Sequence, residues 1–138
     1  MNSRKALLLG FWIVTSLFCL EMFFTACWEL LQPQAAQAFT RLGFPAASFR
    51  AELSLAKGIG IAILLIPAFP ARPAIAVLKE WAYAGFAINL ISALIAHFSI
   101  HDRHLAFLPS TLTTILWALS YIFFRKLQTH RAPTPIPA

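Results

Sequence analysis

Glu21 and Glu29 stand inside FCLEMFFTACWELL (18–31), a run otherwise made of Phe, Cys, Leu, Met, Thr, Ala and Trp. A carboxyl group in such surroundings must carry a proton, meet a cation or line a site. Lys57, in ELSLAKGIGIAILLIP (52–67), offers the opposite charge, and Asn89 and His97 add an amide and an imidazole farther along. Glu29, Lys57 and His97 each fall about one turn from the end of an apolar stretch. Helices that alternate in direction would bring all three to one level, with Glu52 and Asp102 just above. Glu21 would lie roughly 12 Å deeper than Glu29, with Asn89 at comparable depth. Glu21, Glu29, Lys57, Asn89 and His97 are therefore the candidate ligand or proton site. The plainer reading of Glu29 with Lys57 is an ion pair that pins two helices together.

Other reactive residue types lead nowhere comparable. HFSIHDRH (97–104) carries three His and an Asp, but it crosses a helix end and a short loop with no second ligand cluster. Imidazoles at a membrane edge are expected there, and no metal. Cys19 and Cys27 share one run, where eight helical residues separate them by ~12 Å along the axis. That exceeds disulfide reach, and no Cys-x-x-Cys occurs. No nucleophile–base set, phosphate loop or haem and flavin signature is present, so a self-contained enzyme is not expected.

The elements that would position these groups follow from composition. The chain has 138 residues, 59% hydrophobic and 12% charged, with a mean hydropathy of +0.73. A single domain of that make-up is a membrane protein. The net charge of +6 is not gathered into a basic patch with stacking aromatics, which excludes nucleic acid. Four stretches, 6–31, 53–69, 81–99 and 105–124, are long and apolar enough to cross the hydrocarbon. Ile66-Pro67 should end or kink the second, Pro73 should keep the following loop non-helical, and Pro109 fits the first turn of the fourth. Arg4, Lys5, Arg72, Lys79, Arg125, Lys126 and Arg131 fall on one side, against Arg41, Arg50 and Arg103 on the other. This places both termini in the cytoplasm. Arg4-Lys5 with FTAC ending at Cys27 loosely resembles a lipoprotein signal, but Glu21 and Phe24 disfavour cleavage. Residues 1–126 are read as the membrane domain, and 127–138 as a Pro-rich disordered cytoplasmic tail.

Helical wheels give each stretch a stripe of small and polar residues. These are Gly10, Val14, Leu17, Glu21, Thr25 and Trp28 on the first, with Glu29 about 80° away. The third carries Gly85, Asn89, Ser92, Ala96 and Ser99. The fourth carries Ser110, Thr113, Thr114, Trp117, Ser120 and Tyr121. On the second, Ala56 and Gly60 flank Lys57. Helices in lipid meet at such faces, so the expectation is an all-α four-transmembrane-helix bundle with a partly polar lining.

RLGFP (41–45), ELSLAKGIGIAILLIP (52–67) and LKEWAYAGFAINLISALIAHFS (78–99) closely resemble the DoxX-like family of small bacterial membrane proteins. The likeness covers nearly the whole chain, and Lys79, Glu80, Trp81, Tyr83 and Gly85 form its most specific motif. It implies a four-helix, multi-pass protein of the bacterial inner membrane. The wider group takes its name from a subunit associated with thiosulfate:quinone oxidoreductase, so the resemblance implies an accessory, non-catalytic role beside a redox-enzyme partner. Asn89 stands where relatives commonly carry Asp, and His101 where a Gly precedes Asp102. Lys79 is expected to reach the headgroups beside Trp81. A slot between helices near Trp28, Trp117 and Tyr121 would admit a quinone ring. The alternatives are a small-solute or proton transporter using Glu21, Glu29 and Lys57, which with so few helices would need a homodimer, and an assembly protein without ligand.

Overall fold

The computed structural model describes residues 3–44, 47–67, 72–99 and 107–129. All described elements are helical: α1 (Ser3–Leu31), α2 (Pro33–Arg41), α3 (Ala47–Leu65), α4 (Pro73–Ser99) and α5 (Phe107–Thr129). The breaks follow local chemistry. Pro33 has no N–H to continue α1 but suits the first position of α2, after Gln32 in an extended conformation. A Schellman turn closes α2: the Gly43 N–H donates to Thr40 O at 3.1 Å and the Phe44 N–H to Phe39 O at 2.8 Å. The turn needs a left-handed residue, which Gly43 supplies at φ 89°. α3 ends at Leu65, just ahead of Pro67, as expected.

Two expectations about boundaries change. Pro73 opens α4 instead of holding its loop non-helical, because proline at a first helical position gives up only an N–H that would lack a partner anyway. α4 consequently starts well before Trp81. The short α2 was not expected, since its polar, Ala-rich sequence has too little apolar surface to stand out from a loop. α5 continues to Thr129, so 127–129 are helical, and the rest of the expected tail lies outside the described residues.

α1 packs against α3 and α5, and α4 packs against the same two, so the four long helices enclose one core. Its centre is aromatic. Phe18 meets Phe86 edge to face with centroids 5.0 Å apart, and Phe11, Tyr83 and Phe124 fill the end nearer the N-terminus of α1. Gly60 allows the Phe86 contact, because a Cβ there would come within 2.7 Å of Phe86 Cε2. Large apolar side chains also cover the outside; Trp81 is 74% exposed and Ile88 68%. Water would penalise that surface and hydrocarbon would not. α1 and α4 are each long and apolar enough to cross a membrane by length and composition.

The inward faces differ from two of the expected stripes. On α1 the buried residues are Phe11, Thr15, Phe18, Cys19, Met22, Ala26 and Glu29, about 100° round from the Gly10–Trp28 line. On α4 they are Ala76, Lys79, Ala82, Tyr83, Phe86 and Leu90, while Gly85, Ser92 and Ser99 are exposed. Ala56 on α3 is exposed as well, whereas Gly60 is buried. The α5 stripe does face inward at Thr113 and Ser120.

Candidate functional site

Glu29, near the end of α1, and Lys57, at the middle of α3, form a buried ion pair; the residues are 8% and 5% exposed. The pair is built from both helices. Ser54, one turn before Lys57, donates to Glu29 Oε2 at 3.3 Å and lies 3.2 Å from Ala26 O. Arg50, a further turn away, donates to the Glu29 backbone carbonyl at 3.1 Å. Positions 50, 54 and 57 share one face of a helix, which is why one stretch of α3 supplies all three donors. Ser54 and Arg50 were not anticipated, although their spacing from Lys57 is the signal that could have found them.

Of the remaining candidates, Asn89 shares a groove with Lys57, whereas His97 and Glu21 lie apart from the pair. Asn89 lines a groove of about 260 Å³ between α3 and α4, together with Lys57, Gly60, Trp81 and Gly85. His97 lines a separate hollow with Gln34, Gln37 and Arg41 of α2. Glu21 lies on the flank of α1, and its Oε2 is buried with no hydrogen-bond partner. Glu52 is exposed, and His101, Asp102 and His104 fall outside the described residues.

A second polar region occupies the opposite end. Lys79 does not reach the headgroups: it is 0% exposed and donates to the backbone carbonyl of Leu64. Its Nζ lies 5.4 Å from the ring centroid of Phe11 and 5.7 Å from that of Trp12. α4 begins at Pro73, so Lys79 is nearly two turns inside the helix and too deep to bend outward. The Leu64 carbonyl is one of the last four of α3, which have no helical donor of their own. Glu80, by contrast, points to α5, where it accepts from Tyr121 Oη at 3.0 Å and from Arg125 Nη1 at 2.9 Å.

Tyr83 adds a hydroxyl chain through the core. Its Oη lies 2.7 Å from Ser120 Oγ, which in turn lies 2.7 Å from Thr15 Oγ1, linking α4, α5 and α1. Trp117 Nε1 donates to Tyr83 O at 3.0 Å, and its ring stacks on Tyr121 with centroids 5.9 Å apart. The expected slot near Trp28, Trp117 and Tyr121 does not form: the last two are stacked and hydrogen-bonded into this end, and Trp28 belongs to the other. Ser120→Ala should cost more than Tyr83→Phe. Ser120→Ala removes both hydrogen bonds that Ser120 makes, to Tyr83 and to Thr15, whereas Tyr83→Phe removes one and leaves Ser120 bonded to Thr15. Each lost bond contributes about 1 kcal/mol, a difference that thermal unfolding in detergent resolves.

The motif residues Lys79, Glu80, Trp81, Tyr83 and Gly85 therefore divide by face. Lys79 and Tyr83 tie α4 to its neighbours within the core, Glu80 ties it to α5, and Trp81 and Gly85 look outward. A model of the DoxX-like family matches residues 13–119, which contain all of them. No curated protein and no solved structure matches the chain.

Proposed function

The chain belongs to the DoxX-like family, and from that premise we propose a non-catalytic accessory subunit of a quinone-linked membrane redox complex. In this reading α1, α3, α4 and α5 all cross the bacterial inner membrane, with both termini in the cytoplasm. The orientation is supported by Arg4, Lys5, Arg72, Arg125 and Lys126, exposed at the end that carries the start of α1.

One observation carries the non-catalytic role. The buried cations are spent on holding helices together: Lys57 on Glu29 of α1, Lys79 on a carbonyl of α3. Lys57 borders the groove between α3 and α4, but its ammonium is held by Glu29, as that of Lys79 is by the Leu64 carbonyl. Tyr83 and Ser120 are likewise bonded to one another. The chemistry of electron transfer then belongs to the partner, and this chain supplies a stiff platform in the bilayer. Purification of a tagged chain from native membranes in mild detergent tests the reading. A stoichiometric oxidoreductase should accompany it; isolation without one at every detergent strength tried would overturn the proposal.

A proton or small-solute pathway has one specific observation in its favour, the buried and unpartnered Oε2 of Glu21. An intramembrane acid is a functional candidate by default. Here Glu29 cannot share the task, since Lys57 and Ser54 hold it. If Glu21 carries ions, Glu21→Gln will abolish proton or solute flux into liposomes while the fold is retained. Unchanged flux removes Glu21 from any such path.

A further inference from the structure

The two ends of the bundle differ in charge. Of the chain's five acids, Glu29 and Glu52 belong to the end where α1 stops, Glu21 lies between the ends, and Asp102 follows α4 in sequence. Among the described residues, the end that carries the start of α1 therefore has only Glu80, which already accepts from Tyr121 and Arg125. Against it stand Arg4, Lys5, Arg72, Arg125 and Lys126, all exposed. Five cations less one carboxylate leave four positive charges in excess, without counting the buried Lys79.

Helix contacts bring these cations close to one level. Thr15 meets Ser120 and Phe11 meets Phe124, so α1 and α5 run antiparallel, with Lys5 near the end of α5 and Lys126 roughly one turn farther in. Glu80 meets Tyr121 and Arg125, which brings the start of α4, and Arg72 just ahead of it, to the same end. Each lysine also heads an apolar row. Lys5, Leu9 and Ile13 follow at steps of four along α1, and Lys126, Ile122 and Leu119 at steps of four and three along α5. Such steps stay on one side of a helix, and the four apolar side chains are half-exposed.

We infer that Lys5 and Lys126 hold the phosphate groups of anionic phospholipids, whose acyl chains run down the Leu and Ile rows beneath. A phospholipid matches both halves of each row, the phosphodiester against the ammonium and the hydrocarbon against the apolar side chains. An acidic protein segment would meet the charge and leave the apolar rows uncovered. A zwitterionic head would set its own ammonium beside the lysines, where Glu80 is already engaged and cannot offset it. Arg4 and Arg72 add to the field that draws a net negative head to this end, an attraction that fades within a Debye length. The inference rests on α1 and α5 crossing the bilayer as proposed above.

The test is electron spin resonance of phospholipids spin-labelled on an acyl chain, in bilayers that hold the purified full chain; lipids at the protein are resolved from bulk by their restricted motion. Labelled phosphatidylglycerol should be preferred over labelled phosphatidylcholine at least about threefold. Lys5→Gln combined with Lys126→Gln should bring the ratio close to one, and Arg41→Gln at the opposite end should leave it unchanged. A second measurement needs no variant. Raising salt from about 0.1 M to about 1 M shortens the Debye length from ~10 Å to ~3 Å and should at least halve the preference of wild type. Inorganic phosphate should compete no better than chloride at equal ionic strength; stronger competition would assign the cations to free phosphate and overturn the lipid reading. Equal binding of the two lipids by wild type, or a preference that survives the double substitution or high salt, would overturn it as well. Release of the chain from membranes by alkaline carbonate without detergent would defeat the membrane-spanning reading and this one with it, whereas a spanning chain without lipid preference defeats this one alone.

Discussion

Lys57→Met is expected to lower the stability of the folded chain by about 3–5 kcal/mol, the cost of leaving one member of a buried ion pair without the other. The orphan is Glu29, whose remaining side-chain donor is Ser54 at 3.3 Å. Glu29→Leu combined with Lys57→Met should recover most of the loss, because the desolvation of both charges disappears along with their attraction. Replacement of a buried pair by apolar side chains of similar volume is often neutral or favourable. Unfolding in mixed micelles with increasing SDS measures all three variants on one scale. A double variant as unstable as the single one would show that the pair contributes more than mutual neutralisation.

Lys79→Glu should be at least as damaging, with a loss above about 4 kcal/mol and little folded protein recovered from membranes. The ammonium sits against the Leu64 carbonyl oxygen and near the rings of Phe11 and Trp12. A carboxylate in that place would meet an oxygen and two electron-rich ring faces, all repulsive, with no water to relieve it. Lys79→Met separates charge from shape. It gives up the carbonyl bond and the ring attraction, but it also removes the cost of a buried cation, so the net change should stay within about 2 kcal/mol. Comparable yields of the Glu variant and wild type would mean that Lys79 reaches the headgroups after all.

The common level of Glu29 and Lys57 was legible in the sequence, because each falls about one turn from the end of an apolar stretch and the stretches alternate in direction. That the two side chains turn toward each other depends on rotation as well, and the structure supplies it. The membrane class was legible for a similar reason, since it follows from the sum of apolar residues and not from their arrangement. Pro67 likewise acted locally, and α3 stops just ahead of it.

Rotation about the helix axis was not legible. In water, the polar side of a helix marks its outside; in lipid, both sides are apolar and the mark is lost. Small polar residues served as a substitute marker for the interior, and that failed on α1 and α4. Short hydroxyls explain part of this, because they can bond to their own helix: Ser99 donates to Ile95 O at 2.8 Å on the exposed face of α4. Such a residue costs little on either side and so identifies neither. Lys79 went astray through a helix start eight residues too late, which turned a buried residue into an interfacial one. The sequence by itself determined the apolar class, the existence of the four long helices and the level at which the ion pair lies. Only the tertiary structure decided which arc of each helix turns inward, because that choice depends on how Phe18, Phe86, Tyr83 and their neighbours fill a shared volume.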